Sequence, residues 1–254
     1  MKDNVHEDGP VEVIGPFESL RPGAGSVALP MTRVADIGGR GGLALPGTVQ
    51  PTGWYRATGK RIADIVFVLI TLPISVPVIL ICAIALLIEG GQPFYRQERL
   101  GKGGKRFSIV KLRTMGRNAD TVLESYLARD PAMRAEWDTT QKLKNDPRIT
   151  RVGALLRSSS MDELPQLWNV LKGDMSVVGP RPMMPEQLRL YSNPRPYFIL
   201  RPGITGEWQV SDRNENSFSH RSTVDARYNV KLSFWTDLKI LFQTAGVVLR
   251  RTGY

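Results

Sequence analysis

The 24 positions from Ile65 to Ile88 are uncharged and mostly apolar, a run with no counterpart elsewhere in the chain. As one helix they would reach about 36 Å at roughly 1.5 Å per residue, enough to cross the hydrocarbon core of a bilayer. Pro73 and Pro77, flanking Ser75, each remove a backbone donor and push the preceding turn out of line. Division there leaves arms of about eight and eleven residues, each too short at that rise to cross alone. A helix that enters, bends and returns is favoured over one that spans, and a buried helix of a soluble domain ranks third on length.

After Glu89 the period changes. Phe94 to Leu100 and Arg106 to Arg113 read as strands joined by Gly101-Lys102-Gly103-Gly104, a hairpin signal that is neither a Walker loop nor a dinucleotide fingerprint. Residues 119–141 are expected to be helical, with Leu123, Leu127 and Trp137 inward. Asn145-Asp146-Pro147-Arg148 marks a turn, and 150–157 a short basic helix. The next helix is expected to begin near Ser160 to Asp162, to bury Leu164, Leu167, Trp168 and Leu171, and to end at Gly173. From Trp235 to Arg250 an amphipathic pattern returns, with Leu238, Leu241, Phe242, Ala245 and Leu249 on one side, suited to packing on the domain or lying flat on lipid. The first 53 residues hold ten Gly and six Pro without sustained periodicity, which predicts a disordered tail and not a signal peptide. No internal repeat is present.

Charge sharpens the membrane reading. The formal net charge is +10 over 254 residues, but residues 1–59 hold five Lys/Arg against six Asp/Glu, so the excess lies downstream. Arg56, Lys60 and Arg61 precede the apolar run, and residues 91–118 carry eight Lys/Arg against one Glu. Cationic flanks on both sides prefer the cytoplasmic face together, and Trp54 and Tyr55 ahead of Lys60 suit a membrane interface. The single cysteine, Cys82, rules out a disulfide framework. Two histidines, His6 and His220, give little support to histidine metal clusters or Ser-His systems. The chemistry is left to carboxylates, Lys and Arg.

Those groups converge in Met161 to Pro182, MDELPQLWNVLKGDMSVVGPRP. Asp162 and Glu163 stand at a helix start, and a Gly-Pro-Arg-Pro turn returns Arg181 after a short apolar run. The plain reading is capping: Asp162 as the N-cap with Pro165 in the first turn, or Ser160 as the cap with Glu163 closing a capping box. Capping does not exclude catalysis, because free amides at a helix start favour both carboxylate and phosphate. One carboxylate can attack phosphorus while the other holds a divalent cation that relieves repulsion of an incoming diphosphate. The planar fork of an arginine suits the remaining oxygens. An enzyme that moves a phosphate-linked group at a bilayer surface is the reading these residues support.

The chain resembles the bacterial sugar transferases, small monotopic polyprenyl-phosphate hexose-1-phosphate transferases, over residues 58–254. The motifs are Lys60-Arg61 with Asp64, PFYRQERLGKGGKRFSIVKLRTM at 93–115, NDPRIT at 145–150 and LLRSSSMDELPQLWNVLKGDMSVVGPRP at 155–182. RPGITGEWQVSDRN at 201–214 and DARYNVKLSFWTDLKILFQT at 225–244 complete the set. Three positions depart from the pattern: Leu112 where Phe is frequent, Asp212 where Gly is frequent, and Val76 where a serine often precedes the kink proline.

The resemblance implies an α+β, mostly helical fold. It would comprise a re-entrant membrane helix-break-helix, a compact cytoplasmic catalytic domain with a short β-hairpin, and interfacial amphipathic helices. The expected division is a tail at 1–53, the membrane-associated helix at 54–90 and the catalytic domain at 91–254. By the same resemblance Asp162 is the nucleophile that takes hexose-1-phosphate from a UDP-hexose, releases UMP and passes the group to undecaprenyl phosphate. Glu163 would bind Mg2+, and Arg181 would hold a substrate phosphate. Lys111, Arg113 and Arg157 are further candidate phosphate contacts, while Gln97 and Arg99 could equally brace the hairpin. Pro77 carries the membrane kink, helped by Pro73 and Ser75. Galactose is favoured over glucose, with EWDTTQKLKNDPRIT at 136–150 and Tyr254 carrying the nearer likeness to exopolysaccharide-initiating enzymes. Expected partners are inner-membrane lipid and other polysaccharide-assembly proteins, at the cytoplasmic face of the bacterial inner membrane. No nucleic-acid signature is present. A membrane-anchored basic binding protein and a noncatalytic assembly scaffold are the competing classes.

Overall fold

The computed structural model describes residues 53–116, 118–140, 143–211 and 220–249. The expected tail, Gly53 apart, lies outside the described residues, as do Asp212, Arg213 and Tyr254. The described chain is mostly helical with two small sheets.

A π-helical turn at Tyr55–Gly59 leads into α1, Lys60–Gly90. Among the described residues, this is the one helix long and apolar enough to cross a membrane. It continues through Pro73 and Pro77 without an end, so the expected division into two arms is not seen as a gap in the helix. One stripe of α1 packs on the protein: Val68 joins a cluster with Ile109, Val170 and Ile240, while Cys82, Ala83 and Leu86 meet Leu112 and Leu156. The opposite face exposes Leu69, Ile70, Ile74, Ile81 and Ile88. Polar contacts fix both ends to the same body. Near the start, Arg61 donates to the Val170 and Leu171 carbonyls at 2.6 and 2.9 Å. Asp64 there accepts from the Ser176 hydroxyl and the Val177 amide, both at 2.9 Å. Near the other end, Glu89 accepts from the Thr150 hydroxyl at 2.9 Å and the Val152 amide at 3.1 Å.

The hairpin forms as expected. β1, Phe94–Leu100, pairs antiparallel with β2, Arg106–Leu112, in a register that sets Tyr95 opposite Lys111. The free edge of β2 is closed by a side chain: Asn169 accepts from the Val110 amide at 3.1 Å and donates to the Ser108 carbonyl at 2.8 Å. The expected helix at 119–141 is two, α2 (Ala119–Arg129) and α3 (Pro131–Thr140). Asp130 ends the first and caps the second, accepting from the Ala132 and Met133 amides at 2.9 and 3.0 Å. Leu123 and Leu127 are buried and Trp137 packs against them, as expected. α4, Arg151–Ser158, is capped by the Thr150 hydroxyl.

The segment around the acid pair departs from expectation. Met161–Gln166 is a 3₁₀ turn, and α5 begins only at Leu167 and runs to Lys172. Pro165 provides no amide to an α-helical ladder, and the tighter turn rotates the following face. Gln166, Leu167, Asn169 and Val170 therefore point inward, whereas Trp168 is 61% exposed and Leu164 and Leu171 are half-buried. Gly173 ends α5 as expected, in the left-handed region at φ 87°, with the Gly173 and Asp174 amides returning to Val170 and Asn169.

β3, Ser176–Val178, pairs in parallel with β4, Gly203–Thr205, a second sheet that the pattern did not announce. Between them lies α6, Arg195–Ile199, and beyond them α7, Glu207–Ser211, α8, His220–Lys231, and α9, Phe234–Leu249. On α9 the packed side is Asp237, Ile240, Leu241 and Thr244. Phe242, 72% exposed, and Ala245 face outward, whereas Leu238 is half-buried and Leu241 packs inward, so the expected stripe is divided between the two sides, and the Leu249 side chain lies outside the described residues.

Candidate active site

The left-handed Ser160, φ 56°, turns the chain from the end of α4 into the 3₁₀ turn, and this bend directs Asp162 into a cavity of about 340 Å³. Neither Ser160 nor Asp162 acts as a side-chain cap, so the capping readings do not hold. Glu163 is held instead by cations, at 2.7 Å from Lys111 on β2 and 3.3 Å from Arg181. Asp162 is buried, and no donor among the described residues hydrogen-bonds its carboxylate. Burial pushes its pKa up, opposed chiefly by Lys111 and then by Arg157 and Arg181, with Glu163 adding to the rise. Its lone pairs are thus uncommitted in a field set by three cations.

Arg157, on the same cavity wall, is oriented by its Nε bond to the Thr114 hydroxyl at 2.8 Å. Asp162, Glu163, Lys111, Arg157 and Arg181 are therefore brought together. Arg113 also borders the cavity and is engaged at the end of α1. Its guanidinium donates to the Gly90 and Leu86 carbonyls at 3.2 and 3.4 Å, closing the C-terminal end of α1. Pro73, Ser75 and Pro77 do not line the cavity; they lie on α1, and the Ser75 hydroxyl turns back to the Leu72 carbonyl.

Two arginines on the wall were not singled out as phosphate contacts. Arg99, on β1, is bonded to Gln97 as the bracing reading expects, yet it also faces Arg181. Arg221, on α8, stacks on the Trp208 ring at 4.0 Å. Burial and then the Arg181 charge lower each of these two guanidiniums to about 10. Arg99, Arg181 and Arg221, buried or half-buried on one cavity wall, favour an anion among them, and their forks match phosphate oxygens. Beneath Arg221, Asp225 accepts from the Tyr191 hydroxyl at 3.0 Å, and burial pushes its carboxyl up to about 7.

The Pro180–Arg181 turn is placed by backbone packing. The Gly203 amide donates to the Pro180 carbonyl at 2.8 Å, and the Gly179 amide donates to Thr205 at 2.8 Å. The cavity thus pairs an acid dyad with an arginine wall. A profile of the bacterial sugar transferase family matches residues 55–251.

The chain belongs to the bacterial sugar transferase family.

Among relatives, it is 47% identical over 195 residues to the UDP-galactose-lipid carrier transferase of Erwinia amylovora, covering 76% of this chain and 41% of that one. It is 42% identical over 211 residues to the exopolysaccharide production protein ExoY of Rhizobium meliloti, covering 82% and 92%. A third relative is the UDP-glucose:undecaprenyl-phosphate glucose-1-phosphate transferase of Caulobacter vibrioides, 37% identical over 200 residues, covering 75% and 69%. This bacterial sugar transferase chain thus spans about two fifths of the Erwinia protein and nearly all of the Rhizobium one.

Proposed function

We propose that this bacterial sugar transferase starts exopolysaccharide assembly by moving hexose-1-phosphate from a UDP-hexose to undecaprenyl phosphate, with release of UMP. The observation that carries this reading is the buried Asp162 carboxylate, free of hydrogen bonds among the described residues and set among Lys111, Arg157 and Arg181. An Asp162 oxygen attacks the phosphorus that bears the sugar. The bond from that phosphorus to the bridging oxygen breaks, and UMP leaves with the electron pair. An oxygen of undecaprenyl phosphate then attacks the aspartyl phosphosugar, forming the lipid diphosphosugar and returning the carboxylate. Arg181, Arg99 and Arg221 are suited to the diphosphate oxygens and to charge that develops on UMP. Galactose is the favoured hexose, since the Erwinia relative's name specifies UDP-galactose; glucose is the alternative, as in the Caulobacter name.

The residues fit Mg2+. Magnesium is commonly held by one or two carboxylates together with substrate phosphates and water, and Glu163, beside the nucleophile Asp162, would supply the carboxylate. Glu163 would hold the ion at the expense of its Lys111 contact, and the bound ion would neutralise charge on the diphosphate.

The membrane reading rests on α1. Both of its ends bind one body, which supports a re-entrant path with the 91–254 catalytic domain at the cytoplasmic face of the inner membrane. Soluble UDP-hexose and the lipid-borne phosphate then meet at one surface.

The test is transfer by the full chain from labelled UDP-galactose to undecaprenyl phosphate with Mg2+, alongside exchange of labelled UMP into UDP-galactose. Asp162→Asn is expected to lower both on the order of ten-thousandfold or more. Glu163→Gln is expected to impair transfer, and chelation of divalent cations to abolish it. Full exchange by folded Asp162→Asn would remove the covalent step.

A further inference from the structure

A second cavity, about 480 Å³, shares no lining residue with the one that holds the acid pair. It lies between the start of α1, the hairpin tip and the segment after α6. Five cations, Arg56, Lys60, Arg61, Lys102 and Arg201, face it against one carboxylate, Asp64. Several of these charges have structural work. Lys60 pairs with Asp237 at 2.6 Å, Arg61 closes the end of α5, and Arg201 donates to the Gly173 carbonyl at 2.9 Å. Asp64 is committed to Ser176 and Val177. Lys102, at the hairpin tip, makes no ion pair among the described residues. Lys102 is exposed, but partial desolvation and then the neighbouring Arg201 and Arg56 lower its proton affinity, which an incoming anion would relieve.

The remaining wall is apolar: Phe198, Ile199, Leu200 and Leu232. Outside it, α1 begins its exposed apolar face at Ile62, and Tyr55, Phe234 and Trp235 stack edge to face at 5.9 and 5.5 Å. Trp54 and Trp235 are exposed at this end, as aromatic side chains are at a headgroup layer. A basic floor next to an apolar wall, at the level where a membrane helix starts, matches an anion that carries an acyl chain.

We propose that this cavity binds the phosphodiester headgroup of an anionic membrane phospholipid, with Lys102 as a principal contact and the wall at Phe198 and Leu232 receiving the first part of the acyl chain. The site is distinct from the one proposed for transfer. It rests on the membrane association proposed above and not on the covalent mechanism.

The test is calorimetric titration of the full chain, in nonionic detergent, with dihexanoyl phosphatidylglycerol, dihexanoyl phosphatidylcholine and inorganic phosphate. The phosphatidylglycerol is expected to bind at least about tenfold more tightly than either of the others. Lys102→Glu should weaken it about tenfold or more, and Lys102→Arg should retain it. Lys105→Glu, on the same hairpin but outside the cavity, should leave it unchanged. Asp162→Asn should also bind normally, which separates failure of the transferase reading from failure of this one. Equal binding of the two lipids, or equal loss in the Lys102 and Lys105 variants, overturns the site. Inorganic phosphate binding as tightly as the lipid overturns the lipid as its occupant.

Discussion

Asp225 supplies no obvious chemistry, yet it sits one helical turn below Arg221, where an α-helix places residues four apart on one face. Burial raises its carboxyl to about 7 even though the Tyr191 hydroxyl and Arg221 pull the other way. The sign follows from proton binding. The folded state binds a proton that the unfolded chain releases near the ordinary Asp value of about 3.9. Stability from this group is full below about pH 4 and is lost as pH rises to about 7, by a few kcal/mol at most. Urea unfolding of the full chain at a series of pH values should show that slope, and Asp225→Asn should flatten it. An unchanged slope in the variant would place the linked proton elsewhere. Residues at this scale were unevenly legible in the sequence. Asp162, Glu163 and Arg181 lie within 20 residues of one another, and their types alone suggest phosphate chemistry. Arg99 and Arg221 are far apart in the chain and meet only because β1 and α8 form walls of one cavity. Strand alternation places Arg113 near Lys111, on the cavity, but cannot show that its guanidinium also closes the end of α1.

At the scale of elements, the hairpin, α4 and the glycine stop after α5 follow from local rules: alternation with a glycine turn, a threonine cap, a left-handed C-terminal glycine. Elements governed by tertiary partners did not announce themselves. Three-residue strands such as β3 and β4 carry too few positions for a period, and their pairing depends on the close approach of two glycines distant in sequence. A Cβ on Gly203 would fall inside contact distance of the Gly179 backbone, which cannot swing aside as a side chain can. That approach holds the turn carrying Arg181. Gly203→Ala is therefore expected to cost about 1–3 kcal/mol and to displace Arg181 from Glu163. Thermal unfolding should fall by several degrees, about 2–4 °C per kcal/mol for a chain of this size, with transfer activity reduced more than stability alone explains. Gly246→Ala on α9 is the matched control. Its added methyl meets nothing within 4 Å, and it should stabilise by about 0.5–1 kcal/mol. A Gly203→Ala protein with unchanged melting would mean that the two strands separate freely.

For the whole molecule the decisive relation is between α1 and everything else. Hydrophobic length alone permits a spanning helix, and the sequence could weigh against it only through prolines and flanking charge. The folded chain adds a geometric constraint. Arg61 and Asp64 near one end and Glu89 near the other bind segments of a single body, so a spanning α1 would have to break one set of contacts or carry part of that body across the bilayer. Losing the Asp64 set would leave a buried carboxylate without its two donors, an outcome that costs several kcal/mol. On the re-entrant path proposed above, the exposed Ile70, Ile74 and Ile81 of α1 and the exposed Trp235 and Phe242 of α9 are the side chains expected to meet lipid. Single cysteines at Gly53 and Gln92, introduced after Cys82→Ala, test this directly. In intact spheroplasts a membrane-impermeant maleimide should label neither position, and in inverted inner-membrane vesicles it should label both. Labelling of one position from each side would establish a spanning α1 and would require one set of end contacts to be absent in the membrane.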